Sequence, residues 1–268
     1  MMTDQLAHYK QHWHLSDDGE AFISYSGLLQ PVLYNGLECM LKIARRDKDK
    51  HGSMLMAWWS GKGAAPVLQH DENAILMERA INERSLAEMA KNGKDDDASC
   101  IICSVIARLH ANPKPYPGYL APLDVKFKSL GVAAAQQGGI FERCNQVAHE
   151  LLAAPQDMVA LHGDVHHGNI LDFGEKGWLA IDPKGMIGER GFDYANLFCN
   201  PAKETATAPG RLAQQLPIVS DAAKIEPKRL LQWITAWGGL SAAWAIEDGD
   251  DPETAMYVAK AALDEISL

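Results

Sequence analysis

No apolar run in these 268 residues approaches the roughly 18 needed to cross a bilayer, and the opening M-M-T-D-Q-L has no basic, apolar leader. A cytoplasmic protein with no membrane partner is expected. Cysteine is scarce: five residues, an odd number without a secretion signal, point to reduced thiols. Cys100 and Cys103 form a C-I-I-C in a helical pattern with no second pair, which favours packing over zinc or redox chemistry. Positive charge is also short, with 25 Lys and Arg against 35 Asp and Glu, net -10. That balance argues against nucleic acid, whose phosphates are bound by basic surfaces, and suits a cationic or polyhydroxylated small molecule. A Walker loop is missing, because G-K-G at 61–63 lacks the four spaced residues and the following Ser or Thr. It is read as a turn. There is no internal repeat, low-complexity tract or long linker.

What is present is concentrated in L-H-G-D-V-H-H-G-N-I-L, 161–171, and W-L-A-I-D, 178–182. Asp164 precedes Asn169 by five positions and Asp182 by eighteen, the order of the base, the metal-binding Asn and the metal-binding Asp of a kinase catalytic segment. Magnesium is a hard cation that prefers oxygen ligands, which Asn169 and Asp182 supply. A further carboxylate must stay off the metal to orient the acceptor hydroxyl and take its proton, the role expected of Asp164. The apolar runs around F-G-E-K-G predict a hairpin whose far strand returns Asp182 beside Asn169. Asp172-Phe173-Gly174 spells a metal-binding D-F-G but follows Asn169 too soon, and Asp172 is assigned to the turn.

Upstream, Asn35-Gly36 signals a hairpin turn and places Lys42 in an apolar strand, a candidate phosphate contact. Residues Ser24 to Gln30, with Gly27 as their only glycine, are the candidate phosphate-covering turn. Backbone groups at Glu78 and Ala80, in a connector after A-I-L-M-E, are candidates to pair with an adenine edge. Asn82 or Ser85 would cap the helix that follows. Acids at Asp95 to Asp97 suit a helix N-terminus. Strand and turn signals dominate to about Leu76, and helix-length periodicity follows over 98–111, 137–153, 227–245 and 252–267. Two units are expected: a nucleotide-binding lobe, 1–80, and a helical lobe, 81–268, with the catalytic loop and acceptor pocket.

With these parts in place, the chain resembles the aminoglycoside phosphotransferases, most closely their streptomycin phosphotransferase and hydroxyurea kinase branch. The likeness is carried by L-H-G-D-V-H-H-G-N-I and G-W-L-A-I-D-P-K-G-M-I-G-E-R-G-F-D-Y-A-N-L-F, and more thinly by H-W-H-L-S, G-K-G-A-A, N-A-I-L-M-E, R-L-L-Q and G-G-L-S-A-A-W. It implies an α+β, protein-kinase-like fold with a small β-rich N-lobe and a larger helical C-lobe. It also implies ATP, or GTP, with Mg2+, and phosphate transfer to a hydroxyl of an aminoglycoside-like acceptor. Asp164 carries over as base, Asn169 and Asp182 as metal ligands, Lys42 as phosphate contact, and Asp193 as a brace for the catalytic loop. His162 is expected to anchor that loop from the core.

Two departures stand out. The helix that should supply a glutamate to Lys42 offers only R-D-K-D-K-H, making Asp49 the candidate partner, and Pro31 falls in the expected strand, where it would remove a ladder hydrogen bond. The acidic run Glu247, Asp248, Asp250 and Asp251 is a candidate acceptor contact. Two other classes stay open. One is a metal-dependent phosphoesterase or hydrolase, suggested by the crowded H-G-D-V-H-H but lacking any histidine after His167. The other is an inactive kinase fold serving as a binding module, suggested by the weak covering turn and missing glutamate.

Overall fold

The computed structural model describes residues 2–59 and 61–266. Its first part runs through helix α1 (Met2–His12), strands β1 (Ser16–Asp17), β2 (Phe22–Ile23), β3 (Gly27–Tyr34) and β4 (Leu37–Ala44), helix α2 (Asp47–Trp59), and strands β5 (Val67–His70) and β6 (Ala74–Glu78). The strands form one antiparallel sheet, β1-β3-β4-β6-β5, with β2 alongside β1 on the outer edge of β3. Tyr34 pairs with Leu37, so Asn35 and Gly36 are a two-residue turn, with φ of 51° and 82°. Positive φ at both places is what a type I′ turn requires.

Side chains alternate across a strand, and β4 therefore has two functions. Cys39, Leu41 and Ile43 are buried with Leu6 and Tyr9 of α1, a helix the sequence reading did not anticipate, and with Trp13 just past its end. Burying each large apolar side chain contributes about 1.5–3 kcal/mol. Met40 and Lys42 occupy the opposite face, toward the rest of the molecule. The expectation for Pro31 is corrected. Its carbonyl accepts from the Asp18 amide at 3.1 Å, on the outer edge of β3, so the missing N–H falls between β1 and β2 and not in the ladder with β4.

The second part begins with α3 (Leu86–Lys91), capped by the Ser85 hydroxyl, and α4 (Asp95–His110), which carries the three acids in its first turn. Then come β7 (Ala121–Pro122), α5 (Lys128–Gln137), α6 (Gly139–Ala153), β8 (Met158–Leu161), β9 (Ile170–Asp172), β10 (Trp178–Ala180) and β11 (Met186–Glu189). Helices α7 (Gly191–Ala195), α8 (Lys203–Ala206), α9 (Arg211–Ala223), α10 (Pro227–Asp248) and α11 (Glu253–Ile266) complete it. The helix expected over 137–153 starts at Gly139, because Gly138, at φ 63°, separates it from α5. Buried α10 is the spine of this part. Its Trp233 and Trp237 meet Phe192 edge-on at 5.9 and 5.0 Å, in the core that also holds Trp59 of α2. No helix among the described residues is long and apolar enough to cross a membrane.

The β9–β10 hairpin sits between the two parts. The Ala180 amide donates to the Gly63 carbonyl and the Ala65 amide to the Ala180 carbonyl, both at 2.9 Å, so the G-K-G turn docks on the hairpin. On its other side the Ile81 amide donates to the Asp172 carbonyl at 2.8 Å. Asp172 is the last residue of β9, not part of the turn as expected.

Candidate active site

Strand β8 ends at Leu161, and the two residues after it are held by one carboxylate. The amides of His162 and Gly163 donate to Asp193 at 2.9 and 2.7 Å, and His110 Nε2 lies 2.9 Å from the same group. Asp193 is fully enclosed in the first turn of α7, where a buried charge is tolerable because hydrogen bonds surround it. His162 is also buried. Its Nε2 meets the Ile181 carbonyl at 2.8 Å, its Nδ1 accepts from the Asp164 amide at 3.3 Å, and its ring stacks on Trp59 at 6.3 Å. Burial pushes its pKa down, and a neutral ring donating from Nε2 satisfies both contacts.

Asp164 emerges from this scaffold into the cleft. Its Oδ1 accepts from Asn196 at 3.3 Å, and Asn200 in turn holds Asn196 at 2.9 Å. Its Oδ2 lies 3.2 Å from Lys184 Nζ. Asn169 Nδ2 donates to the Asp164 carbonyl at 2.9 Å, which turns its Oδ1 the other way. The Ile181 amide donates to the Asn169 carbonyl at 2.9 Å, so the hairpin sets Asn169 and Asp182 side by side.

Asp182 has the left-handed φ of 58°, which a non-glycine residue adopts only where its surroundings impose it. Lys42 and Ser26 share its Oδ1, Ser26 at 2.9 Å, and Lys184 holds its Oδ2 at 3.1 Å. Burial works to raise its pKa, but the ammonium groups of Lys42 and Lys184 and the hydrogen bonds outweigh it, holding the carboxyl at about 2. Asp164, Asn169, Asp182 and Lys42 thus converge. Asn169 and Asp182 offer oxygens only, one of them on a firmly ionised carboxylate, a donor pair that suits magnesium. No cluster of three His, Cys, Asp or Glu among the described residues could hold a metal.

Other expectations are revised. Asp49 does not pair with Lys42. It takes a two-pronged hold from Arg46 at 2.8 and 2.9 Å, while Arg46 lies over the Tyr25 ring at 4.4 Å. The reason is reach and position: Asp49 is in the first turn of α2, and Lys42 is drawn to Asp182. At the connector, the Glu78 amide is taken by the Pro66 carbonyl at 3.0 Å and its carboxylate by Lys176. The Ala80 amide has no backbone acceptor among the described residues and remains the connector's unused donor. Asp172 is held by Arg84 at 2.8 and 2.5 Å and locks connector to hairpin.

A cleft of about 410 Å³ opens beside Asp164 and Asp182, walled by Tyr25, Arg46, Trp237, Trp244, Glu247 and Asp248. Asp250 and Asp251 are not part of it. Gly249 ends α10 in the left-handed conformation, the Asp250 amide closes on the Ala245 carbonyl, and Asp251 caps α11 and faces Lys203. The sequence reading missed Lys184, Asn196 and Ser26. The first two stand in the quoted D-P-K-G and G-F-D-Y-A-N strings, where only the fold reveals their direction. Ser26 carries no signal beyond its turn.

A family model for aminoglycoside/hydroxyurea antibiotic resistance kinases matches residues 12–249. Streptomycin 3''-kinase of Klebsiella pneumoniae is 46% identical over 244 residues, covering 89% of this chain and 91% of that protein. Streptomycin 6-kinase of Streptomyces griseus is 27% identical over 267 residues, covering 91% and 83%. Among solved structures, a choline/ethanolamine kinase family protein from Mesorhizobium loti superposes with a TM-score of 0.67 at 15% identity, covering 100% of this chain and 94% of that one. The fold is the two-lobed kinase fold, α+β, with a sheet on one side of the cleft and helices on the other.

Proposed function

We propose that this chain, which belongs to the aminoglycoside/hydroxyurea antibiotic resistance kinases, transfers the terminal phosphate of ATP to the 3''-hydroxyl of a streptomycin-type aminoglycoside. Membership makes it a phosphotransferase with an alcohol acceptor; the acceptor and position are drawn from the relative at 46% identity. The supporting observation is the convergence of Asp164, Asn169 and Asp182 on one cleft.

In this reading the acceptor hydroxyl lies against Asp164, whose direction Asn196 and Lys184 determine. Its oxygen forms a bond to the terminal phosphorus as the bond to the β,γ-bridging oxygen breaks. The electron pair leaves on ADP, and the hydroxyl proton passes to Asp164. Asn169 and Asp182 would hold magnesium, which supplies positive charge against the phosphate oxygens. Lys42, on the sheet, exchanges Asp182 for a nucleotide phosphate, and the free Ala80 amide meets the base. Trp237, Trp244, Glu247 and Asp248 suit a sugar scaffold bearing guanidinium groups. ATP supply places the enzyme in the cytoplasm, without nucleic-acid or membrane partners. A nucleotide-binding lobe over 1–80 and a helical lobe over 81–268 carrying the acceptor pocket belong to the same reading.

The test is ADP release with streptomycin, spectinomycin, kanamycin and hydroxyurea, followed by NMR assignment of the phosphorylated position. Turnover confined to streptomycin-type acceptors, phosphate on the 3''-oxygen, and a roughly 10²–10⁴-fold loss in Asp164→Ala with ATP binding retained are expected. Phosphate elsewhere, or normal turnover in that variant, refutes the assignment.

A further inference from the structure

Lys184 stands between the two carboxylates that the reaction must keep apart in role. Its Nζ lies 3.2 Å from Asp164 Oδ2 and 3.1 Å from Asp182 Oδ2. The position belongs to the backbone as much as to the side chain. The Lys184 amide donates to the His162 carbonyl at 2.7 Å, and the next residue, Gly185, presses on His51 of α2. A β-carbon at Gly185 would stand 2.7 Å from His51 Cβ, and one at Gly52 would stand 2.0 Å from the Pro183 oxygen. Helix α2 therefore supports D-P-K-G through backbone contact, where an ion pair to Lys42 was expected.

The loop itself provides no cation. Between Asp164 and Asn169 it reads V-H-H-G, and the two imidazoles are engaged or enclosed. His166 Nδ1 accepts from the Gly168 amide at 3.0 Å, and His167 is buried without a hydrogen-bond partner. Among the described residues Lys184 is the cation within ion-pair distance of Asp164, since Lys42 is engaged with Asp182. A terminal phosphate brought to this place spreads negative charge over its oxygens beside the Asp164 carboxylate, and like charges at such range repel. A metal ion held by Asp182 would compete with Lys184 for that carboxylate and would leave Asp164 as the lysine's partner.

We infer that Lys184 is a positioning residue of the transfer, its ammonium screening the Asp164 carboxylate from the incoming phosphate and fixing the direction in which it faces the acceptor. This rests on the kinase reading above. The experiment compares Lys184→Met, Lys184→Arg and Lys184→Cys, the last before and after aminoethylation, which restores an ammonium at nearly the same reach. Lys184→Ala treated identically controls for the exposed Cys100. In Lys184→Met, kcat should fall roughly 10²-fold, the scale of losing one preorganised charge-stabilising group, with KM for ATP and acceptor and the thermal midpoint little changed. Lys184→Arg should recover part of kcat, and aminoethylated Lys184→Cys most of it.

A Lys184→Met enzyme with wild-type kcat would overturn the inference, as would a loss confined to KM or one that aminoethylation fails to restore. An inactive wild type would overturn the kinase reading and this inference together, whereas an active wild type matched by Lys184→Met removes only the role of Lys184.

Discussion

Gly52 of α2 lies so close beneath Pro183 that a β-carbon on it would stand 2.0 Å from the Pro183 carbonyl oxygen. Pro183 separates Asp182 from Lys184, so this contact sets the height of both side chains in the cleft. Gly52→Ala must push α2 or the D-P-K-G segment aside. Overpacking of this kind costs about 1–3 kcal/mol, and turnover should fall with stability. Urea unfolding and steady-state kinetics check it; a variant matching the wild type in both would show that the contact is slack.

Arg84 forks onto Asp172, whose carboxylate is 2% exposed. Arg84 itself is half exposed, so Arg84→Ala should lower stability mainly by leaving the Asp172 carboxylate short of partners. The Arg84 hydrogen bond is the main cause of the lowered Asp172 pKa, outweighing burial. A depressed folded pKa means stability present above the ordinary carboxylate range and lost on acidification below about pH 4. The gap between wild type and Arg84→Ala should close on that acid side. A constant gap down to pH 3 would contradict the pairing.

Tyr9 tethers α1 to the sheet by donating to Asp71 Oδ2 at 2.7 Å. Burial, then the hydrogen bond and charge of Asp71, push its phenol up to about 12. The raised value makes its contribution complete below the unfolded pKa of about 10 and erodes it as pH rises through the folded one. Tyr9→Phe should therefore lose stability at pH 8 and lose less at pH 11, midway between the unfolded and folded values. Unfolding midpoints at the two pH values decide it, and parallel profiles would exclude the ionisation account.

Glu247 and Asp248 wall the cleft, whereas Asp250 and Asp251 build the turn between α10 and α11. Exposed charges are worth about 1 kcal/mol at most, so Glu247→Gln or Asp248→Asn should raise KM for a cationic acceptor by roughly fivefold at low salt, with KM for ATP unchanged. Asp250→Asn and Asp251→Asn should leave it unaltered. The reverse pattern would relocate the acceptor pocket.

Much of the site was legible because its residues are close in sequence. Asp164, Asn169 and Asp182 lie on one loop and one hairpin, and β-pairing at Trp178 and Asp172 returns the chain to its start. Lys42 could be placed because the Asn35-Gly36 turn sets the register and strand alternation sets the face. Helices α1 and α9 were not legible. The first gains its stability from a sheet formed later in the chain, and Pro217 within α9 imitates a break.

By itself the amino-acid sequence determined the order of Asp164, Asn169 and Asp182, the hairpin that folds them together, and the division into strand-rich and helix-rich parts, since each depends on local spacing and backbone preference. Tertiary structure alone decided the partners. Lys42 went to Asp182 and Asp49 to Arg46, Glu247 and Asp248 were turned into the cleft while Asp250 and Asp251 were turned away, and Lys184 was set between Asp164 and Asp182. Charges attract over any sequence separation, so which pair forms depends on where packed elements carry them, and packing is a property of the whole chain.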